Sequence, residues 1–219
     1  MPQGPTSGDY WNGRYHNEGA IWGMEPSPTV EWAHRHFQAA GCRSLLVAGC
    51  GYGRNLAGFA TRGYPDLTGV DVSGEAVRQA RLLVPGVPVL QEDLLGWAPD
   101  RPPFDALYAF NLLHFFLEGG RRTFAAAARR LVRHEGLLAL SVFSTREKAC
   151  GTGSEVEPGT WETKPGRPAH YFRHGEIAQL FQGFQVIEEL DHPEPETHGP
   201  EGLHTHHLLL ALLRRHSAS

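Results

Sequence analysis

Cysteine is scarce: Cys42, Cys50 and Cys150 are the only three in 219 residues, and none stands in a CxxC pair. This argues against a disulfide framework or a structural zinc site and fits a reducing compartment. Long hydrophobic runs are missing, since the longest, Leu208 to Leu213, falls far short of the roughly 20 residues that cross a bilayer. Excess positive charge is missing too. Lys and Arg number 20 against 24 Asp and Glu, a net charge of −4, which leaves no electrostatic footprint for a phosphate backbone. The start, MPQGPTSGDYWNG, has neither the basic residues nor the apolar stretch of a secretory signal. The expectation from these absences is a cytoplasmic protein that acts on a small molecule, with no nucleic-acid or membrane partner and no stated oligomeric order. What is present is a globular balance, 41% apolar and 20% charged, able to bury a sizeable core. At about 150 residues per domain, residues 1–219 read as one domain with elaborations.

The order of elements carries the fold. Residues 44–48 (SLLVA) read as a buried strand, 53–62 as a helix stopped by Gly63, and 67–72 as a second strand, after which Ser73 caps a helix to about Leu83. A short strand at 87–91, a strand at 104–110, an Ala- and Arg-rich helix at 121–134 and a strand at 137–143 continue the alternation. Strands separated by helices pair in parallel through right-handed crossovers, so the expectation is a doubly wound α/β, Rossmann-like sheet. A helix at 175–182 and a strand at 184–190 follow. Then come a polar Pro, Glu and His loop and a last strand at 203–213 with no helix before it, which must be antiparallel. Two segments stand apart: an aromatic amino-terminal cap (1–40) holding Trp11, Tyr15 and Trp22, and a stretch at 144–173 with four glycines and three prolines. That stretch is too long for an ordinary connection and is expected to be an active-site loop.

The first strand runs into Gly49-Cys50-Gly51-Tyr52-Gly53-Arg54-Asn55 and then a helix. Glycines at such a turn allow positive φ and close approach of a ligand to the main chain. Arg54 stands where GxGxxG has its third glycine, which weakens a nicotinamide-dependent oxidoreductase, the runner-up enzyme, as the reading. Asp71 lies 22 residues after Gly49 at the end of the second strand, where a carboxylate can accept both hydroxyls of a ribose. A bare glycine turn would leave Asp71 a helix-capping residue.

VAGCGYGRN (47–55) resembles the first motif of the class I S-adenosylmethionine-dependent methyltransferases, and GVDVS (69–73) resembles their second. The resemblance runs from about Ser44 to the end and implies a seven-stranded sheet with a reversed last strand. It also implies cofactor contacts from Gly49, Cys50, Gly51, Gly53, Arg54, Asn55, Asp71 and Val72. Glu92-Asp93-Leu94 would edge the adenine, and Phe110-Asn111 would flank the methionine part. The acid usual two residues before the first glycine is Val47 here. The amino-terminal YWNGRY and IWGMEPSP, taken with LVAGCGYGRN, are similar to the branch that contains thiopurine and tellurite-resistance methyltransferases. Phe110-Asn111-Leu112-Leu113 lacks the Pro-Pro-aromatic run that resembles amino methyltransferases of nucleic acid, which again favours a small acceptor. A thiol or a chalcogen oxyanion such as tellurite is the acceptor expected.

Ligands of such sheets bind at the carboxyl ends of the parallel strands. There the topology gathers Asn111, His114, the 144–173 loop and the start of the last strand. Eight of the thirteen histidines follow residue 169, and His204 and His206 face the same way on a strand. His114 is the candidate general base, and His170, His204 and His206 are candidates to orient the acceptor. Packing for His114 and a solvated strand end for the others are the alternatives. Trp22, with Trp11 and Tyr15, is expected over the sulfonium, because aromatic faces attract cations. No metal ligand set is assigned. A non-catalytic sensor of S-adenosylmethionine or of a metal is the reading from outside enzymology.

Overall fold

The computed structural model describes residues 8–197 and 202–217. Its framework is a seven-stranded sheet of β1 (Ser44–Ala48), β2 (Asp66–Asp71), β3 (Val89–Gln91), β4 (Phe104–Ala109), β5 (Val132–Phe143), β9 (Phe184–Thr197) and β10 (Leu203–Arg215), in the order β3-β2-β1-β4-β5-β10-β9. The first five strands are parallel and β10 runs antiparallel to both of its neighbours. β1 is apolar and buried after its first residue because helices cover both faces. On one face α5 (Glu118–Leu131) buries Phe124, Ala127, Ala128 and Leu131, a helical stripe at three- and four-residue spacing. On the other, α2 (Thr29–Ala39) lays Val30, Ala33 and Phe37 beside Leu56 and Phe59 of α3 (Arg54–Ala60) and Val77 of α4 (Gly74–Leu83). The strand order reverses between β1 and β4, which opens a crevice at their carboxyl ends.

The expected cap is helical. α1 (Gly8–Glu18) docks on α4, where the Asn12 side chain accepts the Ser73 hydroxyl at 2.8 Å and the Glu75 amide at 3.1 Å. Ser73 itself accepts the Ala76 amide, the cap its position suggests.

Two segments differ from the sequence reading. The polar loop after residue 190 is strand: β9 continues to Thr197 and pairs with β10 through Pro193 and Pro195. Proline removes a ladder donor and is tolerated because β9 is the sheet edge. Residues 144–173 are not an open loop either, and fold into a three-stranded antiparallel sheet of β6 (Ser154–Glu157), β7 (Thr160–Lys164) and β8 (Arg167–His170). Both of its turns are Pro-Gly pairs, Pro158-Gly159 and Pro165-Gly166, with φ of +73° and +72° at the glycines. Arg121 of α5 holds this sheet through Glu157 at 2.8 Å. The excursion leaves and returns at one place, where Phe172 donates its amide to Phe143 at 2.8 Å.

Asp105 pins the amino-terminal end of β1 to β4 and β5. It accepts the Arg43 amide at 2.7 Å, the Ser44 amide at 2.9 Å and Arg133 at 2.5 Å. Burial pushes its pKa up, but these hydrogen bonds outweigh that and hold it at about 2. A depressed carboxylate contributes stability that is complete above its unfolded value of about 3.9 and is lost as pH falls through the folded one. Asp105→Asn is therefore expected to be less stable than the parent at neutral pH, with the gap closing as pH falls towards about 2. Denaturant titrations of both proteins across that range check it, and a gap that does not change with pH would remove Asp105 as the pin.

Candidate active site

A cavity lies in the crevice, floored by the glycine loop and the ends of β2 and β4 and roofed by α1 and the turn after it. The loop backbone is left-handed at each glycine, with φ of +62° at Gly49, +55° at Gly51 and +97° at Gly53. A Cβ on Gly51 would stand 2.8 Å from the Tyr15 hydroxyl, so the loop and the cap touch where only glycine fits. Asp71 closes the loop from below, taking the Gly51 amide on Oδ2 at 2.8 Å and the Ser73 amide on Oδ1 at 2.9 Å. Burial raises its pKa against the pull of the Ser73, Gly51 and Val72 amides. A carboxylate has about four acceptor positions, so with three amides around it at least one remains for a hydroxyl from the cavity.

The cap is bonded to the loop. The Tyr52 hydroxyl donates to the Gly23 carbonyl at 2.6 Å and accepts the Trp22 amide at 3.2 Å, and the two rings stack. Arg54 donates to the Trp22 carbonyl at 2.8 Å and pairs with Glu196 of β9 at 2.9 Å. Across the cavity, Asn111 sits at φ +50°, a strained conformation for a residue with a side chain. It is held there by Ser141, which accepts its amide at 2.9 Å and donates to its side-chain oxygen at 3.0 Å.

Most of the sequence candidates face this cavity: Trp22, Gly49, Cys50, Gly51, Arg54 and Asn55, then Asp71, Val72, Asp93 and Leu94, then Phe110, Asn111, His114 and His206. Three do not. Gly53 turns towards α4, where a Cβ would meet Ala80 at 3.1 Å, so its glycine serves helix packing and the tight turn. His170 is buried off the cavity wall between the Thr160 hydroxyl, at 2.8 Å, and the Glu176 carboxylate, and ties β8 to β7 and to α6 (Glu176–Leu180). His204 gives its Nδ1 proton to the Gly202 carbonyl at 2.8 Å and reaches the wall only through His206, 3.2 Å away. His198 lies outside the described residues.

Hydrogen bonds distinguish the two wall histidines. His114 is fully buried and stacked on Phe143 at 3.8 Å, and its Nδ1 accepts the Phe143 amide at 3.2 Å. Burial, then the nearby charge of Arg167, drives its pKa well below the ordinary value, so the neutral ring carries its proton on Nε2. The expected general base thus carries a donor, not a lone pair, on a buried Nε2. His206 differs: Nδ1 lies 2.8 Å from the Glu147 carboxylate and Nε2 3.2 Å from Nε2 of His204. Burial disfavours the charged ring, but Glu147 and Glu196 outweigh it and raise the pKa.

The sequence reading missed Arg14, Tyr52, Glu196, Phe115 and Phe143, all on the wall. Tyr52 was in view inside the glycine motif, whereas Glu196 was hidden in the presumed loop. From the 144–173 stretch Arg167 lines the cavity, whereas Glu155 accepts the Gly159 amide in its own hairpin and Glu157 is held by Arg121.

Residues 45–136 match the family described as the methyltransferase domain. The match covers 92 of the 219 residues, and over that stretch the chain is similar to a methyltransferase domain. The curated trans-aconitate 2-methyltransferase of Azoarcus sp. (strain BH72) is 30% identical over 123 residues, 55% of this chain and 47% of that protein, so the match spans about half of the relative. Among solved structures, one from work on the conversion of a disulfide bond into a thioacetal group during echinomycin biosynthesis superposes with a TM-score of 0.76 at 21% identity, covering 98% of this chain and 93% of that one. The 1,6-didemethyltoxoflavin-N1-methyltransferase of Burkholderia thailandensis, solved with its substrate and S-adenosylhomocysteine, gives 0.70 at 21% identity, covering 96% and 87%. These likenesses agree with the seven-stranded sheet and its reversed strand. Among the described residues no group of three or more metal-ligating side chains converges, and no helix is long and apolar enough to cross a membrane.

A histidine whose folded pKa is raised contributes stability that is complete below its unfolded value of about 6.5 and is lost as pH rises through the folded one. His206→Gln is therefore expected to lower the melting temperature most in weakly acidic solution and progressively less as pH rises. An equal loss at every pH would mean that the ring is neutral.

Proposed function

We propose that this chain transfers the methyl group of S-adenosylmethionine to a small-molecule acceptor bound between the glycine loop and the 144–173 sheet. The observation that carries the reading is Asp71, a buried carboxylate at the end of β2 that lines a cavity floored by a glycine loop and keeps acceptor capacity towards it. The residues fit the cofactor. Asp71 would take the ribose hydroxyls, Asp93 and Leu94 the adenine edge, and Phe110 and Asn111 the methionine part, with Trp22 and Tyr15 closing over it. When bound, S-adenosylmethionine supplies an activated methyl: a bond forms from the acceptor to the methyl carbon as the carbon–sulfur bond breaks, and the electron pair stays on sulfur.

What the chain adds is alignment and exclusion of water by the cap. Val47 lies inside the sheet where the motif usually has an acid, so it offers the methionine ammonium nothing; Glu196, on the same wall as Arg54, is the nearest substitute in kind. A thiol or a chalcogen oxyanion such as tellurite remains the acceptor class favoured by the amino-terminal motifs. Such nucleophiles need no strong base, in keeping with His114, whose Nδ1 is taken by the Phe143 amide. His206, steadied by Glu147 and by His204 behind it, would line the acceptor's side of the cavity.

Asp71→Ala should weaken S-adenosylmethionine binding by about 1 to 3 kcal/mol, the cost of leaving polar groups unpaired, measured by calorimetry on the folded variant. Unchanged affinity would sink the role of Asp71. A separate expectation concerns the pair on β10: replacing His204 and His206 together by Ala should reduce turnover far more than cofactor affinity, and an unchanged rate would return both to structural duty.

A further inference from the structure

The cavity wall carries four side chains with positive charge or the hydrogen-bond pattern of a cation: Arg14, Arg54, Arg167 and His206. Three have carboxylate partners. Arg14 pairs with Glu18 at 3.1 Å, Arg54 with Glu196 at 2.9 Å and His206 with Glu147 at 2.8 Å. Arg167, on β8, has none among the described residues, and its buried Nε makes no hydrogen bond. Its guanidinium stands 5.9 Å from the centre of the Phe115 ring. A second unsatisfied donor shares the wall. His114 has no exposed surface, its Nδ1 is used by the Phe143 amide, and its Nε2 has no partner. Native proteins rarely bury donors without acceptors, because each costs the desolvation of the group with nothing returned.

We propose that Arg167 and the Nε2–H of His114 form an anion subsite that holds a carboxylate, or an oxyanion of like shape, on the methyl acceptor. A planar guanidinium offers a fork that matches two carboxylate oxygens, and the imidazole N–H adds a donor beside it. The surrounding wall, Trp11, Phe115 and Phe143, is aromatic, so the body next to the anion is flat and apolar. The assignment has two consequences. Where the bound oxyanion is itself the nucleophile it enters already deprotonated and needs no base, and in either case His114 serves as a donor throughout. The identification of the occupant as methyl acceptor rests on the proposed methyl transfer; the anion subsite itself does not.

The test uses phenylacetate and its neutral isostere phenylacetamide, titrated calorimetrically into the full chain with and without saturating S-adenosylhomocysteine. Phenylacetate is expected to bind roughly tenfold or more tightly than the amide, the scale of one charge-assisted hydrogen bond. Arg167→Gln should remove that preference while leaving S-adenosylhomocysteine affinity within about twofold, and Arg167→Lys should restore part of it, since the charge returns without the fork. On the unmodified protein, nitrogen NMR of His114 should show the neutral Nε2–H tautomer from about pH 5 to about pH 8. Equal binding of acid and amide, no binding of the acid at millimolar concentration, an Arg167→Gln variant that keeps the preference, or a His114 ring protonated on Nδ1 would each overturn the subsite. If phenylacetate binds as expected but S-adenosylhomocysteine does not bind at all, the methyltransferase reading fails and the subsite stands.

Discussion

The carboxylate of Asp71 bonds the Gly51 amide with one oxygen and the Ser73 amide with the other, and the rest of the site takes its position from that bridge. It joins the end of β2, the glycine loop after β1 and the start of α4. Burying a carboxylate is unfavourable unless donors surround it, so the bridge is stable only with the loop in its left-handed form. Across the crevice, Ser141 on β5 holds Asn111 in a conformation that its side chain resists. The two loops thus face each other over the crevice, each fixed by a polar side chain on an adjacent element.

The cavity is electrically graded. Its floor carries Asp71, Glu92 and Asp93, while Arg167 and His206 stand on the wall built by β8 and β10. In the transfer proposed, a positive sulfonium and a negative acceptor become two neutral products. Aromatic walls that exclude water favour such a cancellation of charge, because the separated ions lose hydration that the products do not need. His206 stands between Glu147 and Glu196, so any positive charge on it is largely offset, whereas Arg167 has no carboxylate partner among the described residues. The division of labour between the two cations follows from their partners, not from their residue types.

The parallel half of the fold was legible because its signals are local. Apolar runs such as SLLVA mark buried strands, glycines mark the turns between strand and helix, and Ser73 caps where a cap was read. The extension of β9 was not legible, since proline and glutamate read as loop and only the β10 partner turns them into an edge strand. The small sheet left a trace that was passed over, two Pro-Gly pairs at matched spacing inside alternating segments. Of the site, the glycine loop and Asp71 follow from motif spacing. That His114 is a donor, and that Arg167 has no carboxylate partner among the described residues, depend on contacts across the fold that no spacing in the chain encodes. His170 was misplaced for a related reason: its Glu176 partner lies six residues on, inside the same local fold, so its position near the strand ends did not bring it to the cavity.

The bonds between Phe143 and Phe172, with the Ser144 bridge beside them, close the 144–173 excursion at its neck. Because the chain exits and rejoins the framework at one point, the small sheet is a cassette: its length and side chains can change with neither the order of the main strands nor the floor around Asp71 disturbed. Arg167 belongs to the cassette, and the glycine loop does not. In the subsite proposed, the guanidinium therefore comes from the insert and the His114 donor from the main framework, so a change within the insert would alter the first and leave the second, with the floor around Asp71, in place.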